Sequence, residues 1–182
     1  MSELCGYQGE PGAFSEHAAR RLVGAVVPLF PCRDFAALFA AVEVRRVHWA
    51  VVPLENTLAG PVPQCRAWLE KTRVTIVGEL SLPIVLALIA GARVQLADVR
   101  EVWSHPVALA QCRKLFAEYP RMQAREVHDT AGAVREVLET GRPDAAALAN
   151  ARAAEIYGGR VLLDDVGDRA ENYTRFVLVT LA

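Results

Sequence analysis

Asn172-Tyr173-Thr174-Arg175-Phe176 leads into the apolar run Val177-Leu178-Val179. It sets a hydroxyl, a permanent cation and an aromatic ring side by side where a strand begins. Arg175 keeps its charge at any working pH, and its planar fork suits a carboxylate. The stretch predicts a site that holds a small organic anion. Other polar groups recur at comparable places: Glu55-Asn56-Thr57 after Val51-Val52-Pro53, Ser104-His105-Pro106 after Val102-Trp103, Asp129-Thr130 after Val127, and Asn150 after Ala146–Ala149. Each of these follows a predicted strand and precedes a helix. In open α/β sheets that is where ligands bind, beside the free N–H groups of helix N-termini. Taken singly, each cluster has a plainer reading. Ser104, Asp129, Thr130 and Asn150 are ordinary helix caps, and Pro106 is an ordinary first helical residue. Glu55 is a solvated acid, His105 packs on Trp103, and Arg175 pairs with Asp168 or Glu171. Capping does not explain why all the clusters fall at strand ends.

The elements that must carry these groups alternate. Strands are predicted at Leu4–Tyr7, Ala25–Leu29, Trp49–Val52 (ending at Pro53), Val74–Leu80, Ile84–Ile89, Glu101–Trp103, Ala124–Val127, Asp144–Leu148, Val161–Leu163 and Arg175–Leu181. Helices are predicted near Phe14–Leu22, from the cap Asp34 to Glu43, and over Pro63–Lys71, Val107–Tyr119, Thr130–Thr140 and Ala151–Tyr157. Apolar residues at positions 35, 38, 39 and 42 carry the helical period of 3.6 behind Asp34. Continuous apolar strands between helices argue for parallel sheets covered on both faces. The long strand pair falls midway in the chain, and the last strand can return beside it. That predicts two α/β lobes joined by hinge strands with a cleft between them, lobe one being residues 1–80 plus 171–182 and lobe two 81–170.

Composition removes several classes of function. A net charge of −1 with interspersed signs lacks the clustered basic face that nucleic acid requires. The hydrophobic fraction of 53% describes a globular chain. Cys5, Cys32, Cys65 and Cys112 are far apart and lie in or beside apolar segments, so buried free thiols are expected, with neither a disulfide framework nor a zinc site. No secretory pattern opens the sequence, and the apolar run 80–92 is shorter than the roughly 20 residues a bilayer span takes. A cytoplasmic chain without membrane contact is the expectation. Nucleophile elbow, zinc-helix, phosphate-loop and dinucleotide signatures are all missing, and His17, His48 and His128 have no ligand-like spacing. No metal is called for.

Read together, the segments resemble the catalytic domain of prephenate dehydratase. The likeness runs through Gly6-Tyr7-Gln8-Gly9-Glu10-Pro11-Gly12-Ala13-Phe14-Ser15, Val52–Thr57, Ser104-His105-Pro106 with Gln111-Cys112, Asp129-Thr130-Ala131, Ala145–Asn150, Ala154–Gly158 and Asn172–Phe176. The resemblance implies a fold like that of a two-lobed, type II periplasmic binding protein. It also implies a cofactor-free reaction that removes carbon dioxide and water from prephenate to give phenylpyruvate. By resemblance Thr174 hydrogen-bonds or protonates the leaving hydroxyl, with Glu55 or His105 as a proton relay. Arg175 binds a substrate carboxylate or holds the loop that does. Asn56, Thr57, Ser104, Thr130 and Asn150 supply further donors, and Phe176 walls the ring. Many members of the family carry serine where Asn150 stands, and relatives usually continue into an ACT domain that binds phenylalanine, so this chain is expected to lack that site. A homo-oligomer, as a dimer through the catalytic lobes, follows from the same resemblance. Arogenate as substrate, or a non-catalytic anion-binding module of the same fold, remain the alternatives.

Overall fold

The computed structural model describes residues 3–182. In chain order the elements are β1 (Cys5–Gln8), α1 (Phe14–Val23), β2 (Leu29–Cys32), α2 (Phe35–Glu43), β3 (Trp49–Asn56), β4 (Gly60–Pro61), α3 (Pro63–Lys71), β5 (Val74–Pro83) and β6 (Ala87–Ala90). A 3-10 turn, Leu96–Asp98, precedes β7 (Glu101–Ser104), α4 (Pro106–Ala110), α5 (Arg113–Glu118), β8 (Gln123–Glu126), α6 (Thr130–Thr140), β9 (Ala145–Ala149), α7 (Arg152–Tyr157), β10 (Arg160–Leu163) and β11 (Tyr173–Leu181). The chain divides into two compact α/β units. One comprises the residues up to Glu10, Phe14–Ile84 and Glu171–Ala182; the other is Pro11–Ala13 with Val85–Ala170.

In the first unit the strand order is β2-β1-β3-β11-β5, with β4 added to β3. β1 runs parallel to β2 and β3, whereas β11 lies antiparallel between β3 and β5. Both faces are covered, so the central strands read as unbroken apolar runs. Tyr7, Val51, Phe176 and Leu178 pack on α1 residues such as Ala18. Val52, Val177 and Val179 pack on the opposite face against Leu38 and Phe39 of α2 and Trp68 of α3. Asp34 caps α2 by accepting from the Ala37 N–H at 2.7 Å. Leu38 is fully buried, and truncating it to Ala would cost roughly 2–5 kcal/mol.

The second unit has the order β10-β6-β9-β7-β8. β7 is parallel to β8 and β9, and β6 is antiparallel to β9 and β10. Val134 and Val137 of α6 pack against the alanines of β9, whose small side chains let the helix sit close. At the starts of β7 and β9, Arg142 joins Asp144 at 2.9 Å and Glu101 at 2.8 Å. Glu101 also accepts from Trp103 Nε1, and Arg125 stacks on the Trp103 ring at 3.9 Å. Gly12 of the glycine-rich turn belongs to this unit. Its φ is +90°, and a Cβ there would lie 3.0 Å from Ala153 Cα of α7. Tyr157 Oη donates to Pro11 O beside it at 2.9 Å, so the turn is a docking point for α7.

Four of the differences from the sequence expectation have a visible reason. The sheets are mixed, because β11, β5, β6 and β10 run against their neighbours. β2 lies at 29–32 instead of 25–29. The Arg20 guanidinium binds the carbonyls of Ala25 and Val27 and holds that stretch as a loop, while Pro31 is tolerated on an edge strand. β3 continues past Pro53 to Asn56, with a bulge beside the proline in its pairing with β11. The helix expected over 107–119 is two helices. The Asp168 carboxylate accepts from the N–H groups of Arg113 and Lys114 and so starts α5 anew. All four cysteines are free and buried. Burial pushes the thiols of Cys5, Cys65 and Cys112 up to about 12 and that of Cys32 to about 11.

Candidate functional site

In the first unit the start of β11 meets the end of β3, because the two strands are antiparallel. Thr174 lies opposite Asn56 and Arg175 opposite Glu55. Phe176 then pairs with Pro53, so Leu54 is the extra residue of the bulge. Side chains alternate across the sheet. Phe176 is in the α1-side core and Val177 in the α2–α3-side core, which places Thr174 on the first face and Arg175 on the second.

On the α1 face the side chains bind one another over long sequence distances. Asn56 Nδ2 donates to Thr174 Oγ1 at 3.0 Å, to Asn172 Oδ1 at 2.8 Å and to Tyr173 O at 3.1 Å. Its Oδ1 accepts from the N–H groups of Leu58 and Ala59, so the amide is fixed in one orientation. Thr57 Oγ1 accepts from Tyr173 N at 2.9 Å and donates to Glu171 O at 3.2 Å. Thr174 is 8% exposed. Because Asn56 occupies a lone pair of its oxygen, the Thr174 hydrogen points elsewhere, and it has no acceptor among the described residues. Phe176, 2% exposed, packs in the core directly beneath.

The other face is different. Arg175 pairs with Glu79 on β5 at 2.8 Å, and both are more than half exposed. The Glu79 hydrogen bonds push the guanidinium pKa further up. Glu55 and Arg175 line a depression of about 430 Å³ whose floor is Leu54 and Leu69 and whose rim holds Arg66 and Glu70. Two candidates grouped with Thr174 by sequence are therefore separated from it by the thickness of a sheet. Arg175 has a carboxylate partner within the chain, and Glu55 has no direct path to the Thr174 hydroxyl.

In the second unit the ends of the parallel strands β7, β8 and β9 carry Ser104-His105, the 127–130 segment and Asn150 along one edge. Ser104 is fully buried and its hydroxyl donates to Leu148 O at 2.6 Å, so that donor is spent between strands. His105 Nδ1 accepts from Val107 N at 3.2 Å, capping α4. Asp129 accepts from Gly132 N and caps α6, and Thr130 is the first residue of that helix. Asn150 Oδ1 accepts from Arg152 N at 3.2 Å at the start of α7. Burial, reinforced by His128, lowers the His105 pKa against the opposing pull of Asp129 and Glu126.

Two residues of consequence were absent from the set drawn from sequence. Asn172, 4% exposed, fixes the Asn56 amide, and Glu79 occupies the Arg175 guanidinium. Asn172 stood inside the recognised motif, whereas nothing local marked Glu79. Among the described residues no three His, Cys, Asp or Glu side chains gather in a way that would hold a metal ion. No helix among them is long and apolar enough to cross a membrane.

The family model described as prephenate dehydratase matches residues 5–182. The chain is 43% identical to arogenate dehydratase 3, chloroplastic, of Arabidopsis thaliana over 177 residues, covering 95% of this chain and 41% of that protein. It is 38% identical to the bifunctional N-acyl-homoserine lactone acylase/prephenate dehydratase of Komagataeibacter europaeus, covering 97% of this chain and 62% of that one. The solved prephenate dehydratase of Arthrobacter aurescens in complex with L-Phe superposes with a TM-score of 0.91 at 28% identity, over 98% of this chain and 60% of that chain. This chain thus spans less than two thirds of each. A periplasmic substrate-binding protein from Coxiella burnetii, at 15% identity and a TM-score of 0.52 over 98% of this chain and 84% of its own, shares the fold.

Proposed function

The chain belongs to the prephenate dehydratase family, and on that premise we propose that it converts prephenate to phenylpyruvate in phenylalanine biosynthesis. The C–CO2 bond of the ring carboxylate breaks, its electron pair crosses the ring, and the hydroxyl para to it departs with a proton as water. Prephenate dianion and one proton give phenylpyruvate, carbon dioxide and water. Aromatisation supplies the driving force, so the residues have to orient the substrate and donate to the leaving oxygen.

The observation that carries this reading is the Thr174 hydroxyl, oriented by the Asn56 amide with its hydrogen uncommitted. A threonine is a poor acid, so it acts as a positioned hydrogen-bond donor whose proton is replenished from solvent. Asn56 and Thr57 position it, and Phe176 closes the core beneath it. Arg175 ties the start of β11 to β5 through Glu79. Ser104 and Thr130 support the strand and helix ends of the second unit. A lyase acting in a reducing compartment such as the cytoplasm agrees with four buried free thiols. A homo-oligomer remains part of the proposal, on the family resemblance.

Arogenate is the second reading, favoured by the arogenate dehydratase name of the plant relative. It differs from prephenate at the side-chain keto group. The test is to supply the purified chain with each compound at neutral pH, following phenylpyruvate by its enol absorbance in alkali and phenylalanine by chromatography, against enzyme-free controls. Turnover of prephenate that Thr174→Ala sharply reduces is the expected result. Turnover of arogenate alone would transfer the proposal to that substrate, and turnover of neither would leave an anion-binding module.

A further inference from the structure

On the face of the first unit opposite Thr174, the bulge in β3 does something a regular strand cannot. Neighbouring side chains of a regular strand point to opposite faces. Where two residues of β3 oppose one of β11, consecutive side chains share a face. Leu54 packs against the core that α2 and α3 cover, and Glu55 pairs in register with Arg175 on that same face. An apolar side chain and a carboxylate thus stand side by side, and both line the depression of about 430 Å³. Leu69 of α3 and Pro61 of β4 complete its apolar part. The volume falls within the range of about 300–1,000 Å³ usual for small-molecule sites.

The charges around this floor do not cancel. Arg175 is held by Glu79 at 2.8 Å, and Arg66 by Glu70 at 3.6 Å one turn along α3. Glu55 has neither a hydrogen bond nor an ion pair among the described residues and acts on Arg175 only at a distance. Three carboxylates face two guanidinium groups, and the unanswered one is the neighbour of Leu54. We propose that the depression binds an apolar primary ammonium, with its nitrogen on Glu55 and its hydrocarbon on Leu54, Leu69 and Pro61. Prephenate is excluded from it, because an excess of negative charge disfavours a dianion. The assignment is therefore independent of the dehydratase reading. Asn56 follows Glu55 and Thr174 precedes Arg175, so the site lies on the reverse of the strand pair that orients the hydroxyl.

The probe is cyclohexylethylammonium, with cyclohexylethanol as a neutral counterpart of the same shape. Neither carries an aromatic ring or a carboxylate, so neither mimics prephenate. Nitrogen-15 amide spectra of the purified chain at neutral pH should show saturable shifts at residues 54–56, 66–70 and 174–176 as the ammonium is added. The alcohol should bind about three- to fivefold more weakly, the worth of one solvent-exposed charge pair. Glu55→Gln, an exposed substitution, should hold its melting temperature and lose that preference. Leu69→Ala should weaken both probes alike, since it shrinks the floor they share. Cyclohexylalanine run beside the amine identifies the source of the ammonium: tighter binding points to an amino acid whose carboxylate draws Arg66 from Glu70, and weaker binding to a simple amine. Equal affinity for ammonium and alcohol, or a preference that survives in Glu55→Gln, would overturn the proposal. So would shifts confined to other residues, or no saturable shift at all.

Discussion

The two sheet edges carry similar residue types, Asn, Thr, Ser and a charged or titratable neighbour, yet they commit them differently. In the second unit most of these atoms are spent locally, His105 and Asn150 bonding an N–H two positions on and Asp129 one three positions on, while Ser104 alone reaches another strand at Leu148 O. In the first unit Asn56 and Thr57 reach residues more than a hundred positions away. Caps fasten a helix to a strand end, whereas the Asn56 network orients one hydroxyl. The same residue types thus yield a supporting edge and an orienting edge, according to whether the neighbouring element is a helix or an antiparallel strand.

The comparison can be broken by experiment. The largest effect should come from Thr174→Ala, which removes a donor acting on charge that develops in the transition state. A fall in kcat of about 10²–10³ with KM within about twofold is expected by analogy with the loss of one oxyanion donor. Weakened binding with intact turnover would place Thr174 among the supporting groups. Asn56→Asp comes next. It keeps an oxygen for Leu58 and Ala59 but cannot donate to Thr174, and kcat should drop about 10- to 100-fold. Added to Thr174→Ala it should cost little more, since both act through one hydroxyl. Full additivity of the two changes would show that Asn56 acts elsewhere.

Ser104→Ala should cost about 1 kcal/mol of stability, read from denaturant midpoints, and leave kcat/KM nearly unchanged. A rise in KM beyond what that loss explains would return Ser104 to the ligand. The smallest effect is that of pH. Because the folded His105 pKa is lowered, its neutral form contributes stability above about 6.5, the ordinary value, and that contribution fades as pH falls through the lowered one. The wild type should therefore lose slightly more stability than His105→Asn between pH 7 and pH 5. Parallel melting curves for the two over that range would argue against the cap.

Legibility in the sequence follows the same division between local and distant bonding. α2 is readable because its cap and its apolar stripe lie within ten residues of each other. Asp129 is readable as a cap for the same reason, whereas Asn150 stands one residue before the cap of α7 and accepts from Arg152 N. The split of the 107–119 helix is not readable, since the carboxylate that starts α5 comes from Asp168, 55 positions from Arg113. Nor is the displacement of β2, which depends on Arg20 claiming two carbonyls of the next loop. At the site, the motif announced Thr174 and Arg175 as neighbours. Strand alternation then put them on opposite faces, so adjacency along the chain overstated their partnership.

Strand residues are read in steps of two, so a strand has something like a reading frame. Leu54 is a single inserted character in that frame. Upstream of it, odd and even positions of β3 match β11 in one phase, and downstream in the other. Were Leu54 to pair in the ladder in place of bulging, Thr174 would face the Glu55 carboxylate in place of the Asn56 amide. A shift of one residue, altering no functional side chain, would exchange a neutral orienting donor for a negative charge. Removal of Leu54 alone should accordingly keep Thr174 opposite Asn56, whereas changes that draw Leu54 into the ladder should not.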